Sequence, residues 1–210
     1  MENNNIFILL AGGKSSRMGS NKGLLNFKEK YWILEQLNRI SSSNITEVYI
    51  GLGYNFNEYF NAIPWLKKAQ HQFVNYNNLL VKATINKQPE LGSFSTLQSV
   101  LRKVSSNSYV IICPIDIPIL NSFELNKIIS KNNEIVYPNF NGKNGHPIKI
   151  SPTIWTDFLK LNPRNLYTRL DFQLKKINPN KISTVEVFDR AIIYNLNKKT
   201  DWNSYLDSMK

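Results

Sequence analysis

One stretch constrains the chain more than any other: residues 9–25, Leu-Leu-Ala-Gly-Gly-Lys-Ser-Ser-Arg-Met-Gly-Ser-Asn-Lys-Gly-Leu-Leu. The apolar run over residues 6–11 predicts a short buried strand. It stops at the pair Gly12 and Gly13, which permits backbone conformations and close approaches that a side chain would block. A loop of small polar and cationic residues follows. Successive backbone N–H groups in such a loop form a cradle for phosphate oxygens. Arg17 then adds a fork of donors and Lys22 a point charge.

Two commoner phosphate loops do not fit. Gly13-Lys14-Ser15 has the ending of a P-loop, but that motif needs glycine where Ile8 stands. The dinucleotide pattern G-x-G-x-x-G fails because Lys14 occupies its second glycine position. The spelling L-A-G-G-x-S-x-R-M-G-x-x-K-x-L-L resembles the signature loop of the MobA-like nucleotidyltransferases, the family of the molybdenum cofactor guanylyltransferases. In that family the loop wraps a nucleoside triphosphate. The resemblance implies that Leu10, Ala11, Gly12 and Gly13 contact the nucleotide while Arg17 and Lys22 hold its phosphates.

A chain of 210 residues suits one domain with a full core. No apolar stretch approaches the length of a membrane span, and the first residues lack the basic and apolar regions of a signal peptide. One cysteine, Cys113, excludes an internal disulfide. A cytoplasmic protein is expected. The balance of 26 Lys+Arg against 15 Asp+Glu gives +11, which invites a nucleic-acid reading. The lysines are scattered, however, without a basic-aromatic stripe, and the wealth of Lys, Asn and Ile matches the codons of an AT-rich genome. Nucleic acid is therefore not the expected partner. A positive surface instead helps steer nucleotides and phosphorylated substrates.

The pattern along the chain alternates strands and helices. Strands are predicted at 46–52, 82–86 and 109–113, and helices at 31–41, 93–103 and 122–130, the last capped by Ser122. Residues 56–69 predict a helix broken at Pro64. Strands at 134–140 and 146–151 flank a turn-rich linker, 141–145. Helices at 153–161 and 166–177, strands at 183–188 and 191–195, and a last helix from residue 200 complete the pattern. Such alternation predicts a single α/β domain, a Rossmann-like open and mostly parallel sheet with helices on both faces. The resemblance implies the nucleotide-diphospho-sugar transferase type. Residues 1–130 form the nucleotide half and 131–210 an acceptor-side subregion. Gly12 and Asp116 both lie just past the carboxyl end of a strand, where open α/β sheets bind ligands.

Asp116, held between Pro114 and Pro118, is placed to bind a hard cation. The segment resembles the family's C-P-x-D-x-P, whose aspartate binds metal, and the implied cofactor is Mg²⁺. Gly92-Ser93-Phe94-Ser95 stands where the family has a glycine-led loop opening a helix, with Asn86 on the preceding strand as a base or ribose contact. The serine-rich version is closer to the cytidylyltransferase relatives. Gly51-Leu52-Gly53 lacks the asparagine common in guanylyltransferases. Residues 141–147 resemble the family's G-x-x-G-H-P loop, which places Gly145, His146 and Pro147 on the acceptor side. An attacking phosphate is already anionic and needs no general base, so His146 is expected to shape that loop. Asn195-Leu196-Asn197 with Thr200-Asp201 resembles the closing D/N-x-D/N-T-P-E-D. This makes Asn197 a neutral second metal ligand.

The resemblance thus implies transfer of a nucleoside monophosphate from an NTP to a phosphate-bearing acceptor, with Arg17, Lys22 and Asp116 as the catalytic residues. GTP with molybdopterin is the preferred pair, because Leu10-Ala11-Gly12-Gly13 matches the guanylyl version. CTP with molybdopterin or a small phosphorylated metabolite is the alternative. A non-enzymatic nucleotide- or RNA-binding protein is the competing class.

Overall fold

The computed structural model describes residues 4–165 and 167–209. Along the chain it builds β1 (Asn5–Ala11), β2 (Asn26–Phe27), β3 (Lys30–Tyr31), α1 (Trp32–Ser41), β4 (Glu47–Leu52), α2 (Phe56–Ala62) and α3 (Trp65–Ala69). Next come β5 (Val74–Tyr76), β6 (Leu79–Ile85), α4 (Ser93–Leu101), β7 (Tyr109–Pro114), α5 (Ser122–Ser130) and β8 (Ile135–Phe140). The remainder is β9 (Lys143–Asn144), β10 (Ile148–Ile150), α6 (Pro152–Phe158), α7 (Leu170–Leu174), β11 (Ile182–Glu186) and α8 (Lys199–Asp207).

β1 is apolar at nearly every position because both faces of the sheet are covered there. Phe7 and Leu9 share a core with Ile33 and Leu37 of α1, while Ile6 and Ile8 share the opposite core with Phe94 and Leu97 of α4. β7 repeats the pattern, Ile111 and Cys113 on the first face and Val110 and Ile112 on the second. The sheet runs β11-β8-β10-β7-β1-β4-β6-β5, with β9 paired to β8. β1, β4, β6 and β7 are mutually parallel, and β8 and β11 pair in parallel; β5 and β10 run against their neighbours. The mostly parallel α/β sheet with helices on both faces is thus the fold.

After β1 the chain moves outward through β4 and β6, then returns to place β7 on the other side of β1. That reversal is a topological switch point, and it opens a crevice at the carboxyl ends of β1 and β7. Leu10 is in register with Pro114, and Ile115 N donates to the Leu10 carbonyl at 2.9 Å. Side chains of α1 fix the segment beyond β7. Trp32 Nε1 donates to the Ile115 carbonyl and Gln36 Nε2 to the Ile117 carbonyl, each at 2.7 Å, and Gln36 Oε1 accepts from Ile119 N. Cys113 is wholly buried beneath that segment, and desolvation drives its thiol pKa well up. α8 is tied to α1 and β2 through packed rings, Trp202 and Tyr205 against Trp32 and Phe27.

Several elements differ from the sequence expectation. The strand expected over 191–195 is a 3-10 turn, Arg190–Ile193, capped by the Asp189 carboxylate, which accepts from Ala191 N at 2.8 Å. Ala191 and Ile192 are both buried and Ile193 is exposed, so the alternation of a strand is absent. α5 is capped by Asn121, whose side chain accepts from Glu124 N, rather than by Ser122. The linker at 141–145 is a hairpin: Asn141 and Gly142 have φ of 49° and 79°, the signature of a tight two-residue turn, and β9 folds back onto β8. Asn77 and Asn78, at φ 47° and 66°, make the same kind of turn between β5 and β6, so that β6 starts earlier than residue 82. The helix expected over 166–177 contracts to α7, and its first residue, Leu166, lies outside the described residues. Lys149, fully buried on β10, donates from Nζ to the carbonyls of Ile129 and Lys131 at the end of α5. Among the described residues no helix is long and apolar enough to cross a membrane.

Candidate active site

The crevice at the switch point is a cleft of about 970 Å³, at the upper end of the range for small-molecule sites. One wall is the loop after β1. Glycine is required at its base: a Cβ on Gly53 would lie 2.5 Å from the Gly12 carbonyl oxygen, and one on Gly12 would lie 2.7 Å from Thr96 Oγ1. Two backbones and the first turn of α4 thereby meet without side chains between them. Gly13 faces open space. Beyond it Met18 plugs into the core, and Met18 N closes the turn onto the Ser15 carbonyl. Lys22 N donates to Ser15 Oγ at 3.3 Å, Asn21 Nδ2 to Glu58 Oε2 at 2.6 Å, and Gly23 N to Tyr59 Oη at 3.3 Å. The loop is therefore held in place before any ligand arrives.

Lys22 lies at the centre of the cleft's chemistry. Its Nζ donates to Asp116 Oδ2 at 2.7 Å and to Asn197 Oδ1 at 2.6 Å. Three segments far apart in sequence thus converge on one cation position. Asp116 is carried there by β7 and by the α1 bonds that fix the following residues. Asn197 is carried by the turn before α8, where Leu196 N donates to the Asp116 carbonyl at 2.9 Å. Asp201 Oδ2 accepts from the backbone of Asn197 and of Lys198, so this carboxylate organises the turn. Asn195 Oδ1 accepts from Asn197 Nδ2, which turns the Asn197 oxygen toward the ammonium.

Among the described residues there is no group of three or more His, Cys, Asp or Glu side chains able to hold a metal. Asp116 and Asn197 nevertheless offer two hard oxygens that already share a cation. That set fits an ion such as Mg²⁺, which takes one or two protein oxygens and completes its shell with substrate phosphates and water.

The opposite wall comes from the second half of the chain. Gly145 and His146 line it, and a Cβ on Gly145 would collide with the Ile192 carbonyl. His146 is half-buried; burial pushes its pKa down to about 4, with the Asp116 carboxylate working weakly the other way, so the ring is neutral near pH 7. Arg164, Arg169 and Lys175 project from the segment around α7. Arg169 is paired with Asp171 at 3.0 Å, whereas Arg164 and Lys175 have no carboxylate partner among the described residues.

Most of the residues singled out in the sequence meet here: Leu10, Ala11, Gly12, Gly13, Lys22, Gly92, Asp116, Gly145 and His146 all line the cleft. Four do not. Arg17 is exposed and Pro147 is buried, and neither is among the residues lining the cleft. Asn197 reaches the site through its bond to Lys22. Asn86 is buried, its Nδ2 donating to Ser95 Oγ, Thr96 Oγ1 and the Gln88 carbonyl while its Oδ1 accepts from Gln88 N. Its amide is occupied in building the Gly92 loop and is not presented to a base. The anchoring role of Ser15 and the wall around α7 are not evident in the sequence, and Asn195 and Asp201, which belong to the closing motif, shape the turn that carries Asn197. The Asp201 N3 position ahead of an apolar turn was a legible capping signal; the α7 wall had none.

Comparison with known proteins agrees with this fold. The model of the MobA-like NTP transferase domain matches residues 7–175. Over 123 residues the chain is 27% identical to the molybdenum cofactor guanylyltransferase of Xanthomonas euvesicatoria pv. vesicatoria (strain 85-10), covering 59% of this chain and 52% of that protein. The chain thus spans about half the length of that curated relative. Among solved structures, Rv0371c from Mycobacterium tuberculosis H37Rv superposes with a TM-score of 0.77 at 17% identity, covering 99% of this chain and all of that one. A second structure of Rv0371c is a complex with manganese. Molybdopterin-guanine dinucleotide biosynthesis protein A from Archaeoglobus fulgidus superposes with a TM-score of 0.66 at 14% identity, covering 97% and 98% of the two chains. At these identities the structural likeness concerns the fold.

Proposed function

The chain belongs to the MobA-like NTP transferase family, and from that premise we propose that it transfers GMP from GTP to the phosphate of molybdopterin and releases pyrophosphate. A phosphate oxygen of the acceptor attacks the α-phosphorus in line, and the bond from that phosphorus to the bridging oxygen of the leaving pyrophosphate breaks. The nucleophile is anionic from the start, so no residue has to remove a proton. The difficulty is electrostatic and positional: two anions must be aligned and the charge on the leaving group neutralised.

The observation that carries this reading is the convergence of Lys22, Asp116 and Asn197 at the mouth of the glycine loop. The backbone around Gly12 and Gly13 cradles the triphosphate and Lys22 supplies positive charge within the cleft, while Arg17, exposed on the same loop, adds its charge from outside the cleft lining. Asp116 and Asn197 would hold a metal, Mg²⁺ by the choice of hard oxygens, and its chemistry would be to neutralise charge on the α-phosphate and pyrophosphate. His146, neutral and fixed beside Gly145, shapes the acceptor side and takes no proton. Arg164 and Lys175 bind the anionic acceptor.

The guanine assignment rests on the spelling Leu10-Ala11-Gly12-Gly13 and on the curated relative. CTP is the second reading, favoured by Gly92-Ser93 at the cleft wall and by Gly51-Leu52-Gly53, which presents no side-chain amide. Thermal-shift measurements with GTP, CTP, ATP and UTP, each with Mg²⁺, separate the two. The largest rise in Tm is expected with GTP; a larger rise with CTP overturns the guanine assignment. Pyrophosphate release with molybdopterin tests the transfer, and none with any NTP across a panel of phosphorylated acceptors would sink the enzyme reading.

A further inference from the structure

The Lys22 ammonium stands where a metal ion would have to stand. It lies 2.7 Å from Asp116 Oδ2 and 2.6 Å from Asn197 Oδ1. An ion such as Mg²⁺ binds such oxygens at about 2.0–2.1 Å, so ion and ammonium claim the same volume and repel one another. We propose that Lys22 is a built-in counter-ion that closes the metal position in nucleotide-free protein, so that divalent metal enters together with the triphosphate. The inference rests on the reading of the cleft as a metal–nucleotide site and adds an order of occupancy to it.

Three further observations carry it. The first is charge. Asn197 is neutral, so Asp116 contributes one negative charge and Lys22 balances it. A divalent ion at the same oxygens leaves the position positive unless phosphates come with it: among the described residues no group of three or more His, Cys, Asp or Glu side chains gathers there, and the neighbouring Asp201 carboxylate is engaged with the backbone N–H groups of Asn197 and Lys198. The second is shielding. The Lys22 and Asp116 side chains are only 13% and 20% exposed, so the pair is protected from the screening that makes surface ion pairs weak. The third is the way both ends are held. The Lys22 backbone is anchored by Ser15 Oγ and the Asn197 amide by Asn195, whereas the lysine stem is four flexible carbons. Rotation of that stem moves the charge from the oxygens toward the Gly12–Gly13 loop without moving the backbone. The same residue is thereby a guard before binding and a phosphate ligand afterwards.

Manganese chloride alone, titrated into nucleotide-free protein and followed by electron paramagnetic resonance of free Mn²⁺, reads the guard directly. Lys22→Met and Lys22→Gln are expected to bind Mn²⁺ at least about tenfold more tightly than wild type, although both lose transfer activity. Adding Asp116→Asn to either is expected to abolish the gain. Folding of each variant is checked by circular dichroism, and either one, folded, decides the matter. Mn²⁺ affinity equal to or weaker than wild type overturns the inference. Pyrophosphate release by wild-type protein is measured separately. A protein that releases pyrophosphate while its Lys22 variants gain no affinity for Mn²⁺ loses the guard and keeps the transferase reading. Gain of affinity without any nucleotide turnover does the reverse.

Discussion

The two walls of the cleft are built in opposite ways. The nucleotide wall centres on one continuous stretch of chain, β1 and the loop that follows it, completed by the Gly92 loop and Asp116. Its parts are pinned by short-range contacts such as Met18 to Ser15 and Lys22 to Ser15. The acceptor wall is assembled from Tyr137, the Gly145–His146 turn and the segment around α7, joined by β10 running against its neighbours. A nucleoside triphosphate always presents the same row of phosphates, and a short, fixed loop suffices to receive it. An acceptor is recognised by its outline, and that takes pieces gathered from several elements. The division explains how one nucleotide loop can serve chains whose second substrate differs.

Substitutions on each wall sharpen this contrast. The largest effect is expected on the nucleotide side. Asp116→Asn removes the carboxylate that bonds the Lys22 ammonium and should lower kcat for pyrophosphate release by about 10³-fold, roughly 4 kcal/mol of transition-state stabilisation. Retention of most activity would break the assignment of Asp116 as the metal anchor.

A smaller effect belongs to the junction of the walls. His146 titrates at about 4 in the folded protein, against 6.5 for the free side chain. Above pH 6.5 both states are neutral and the group contributes no pH dependence. As the pH falls from 6.5 toward 4 the unfolded chain takes up a proton that the folded chain does not, and stability is lost. At pH 5 the loss is about 2 kcal/mol. Urea unfolding at pH 7 and pH 5 should show this extra loss in wild type and its absence in His146→Gln.

The smallest effect is expected on the acceptor wall. Arg164→Ala combined with Lys175→Ala should raise the acceptor KM about tenfold, about 1.4 kcal/mol, and leave the NTP KM within about twofold. A rise in the NTP KM alone would reassign this wall to the nucleotide.

The same contrast governs how much was legible in the sequence. β1 and β7 declare themselves because strands buried on both faces are apolar throughout, and the Gly12–Lys22 loop because its chemistry is contiguous. Asp116 is readable from its place after an apolar strand. β5 is not, since Val74, Asn75 and Tyr76 are too few and too mixed to carry a period. Residues 191–194 read Ala-Ile-Ile-Tyr and mimic a strand; the cap from Asp189, a local competition between side chain and backbone, makes them a turn. Asn86 lies where a ligand contact was expected, yet Ser95 and Thr96, brought alongside by α4, absorb its donors. Arg17 belongs to the motif, yet it is exposed and is not among the residues lining the cleft. The cations around α7 carry no motif and acquire meaning only from what they face.

The burial of Cys113 has a practical outcome. The protein's one thiol is sealed beneath the Asp116 segment, with its pKa raised and its surface wholly covered. Alkylating reagents act on thiolates they can reach, so modification of Cys113 has to wait until the sheet around it opens. It is a ready-made clock for unfolding of the central sheet. It also leaves the surface blank for a cysteine placed by design, so that a single fluorophore on the acceptor wall would report that wall alone.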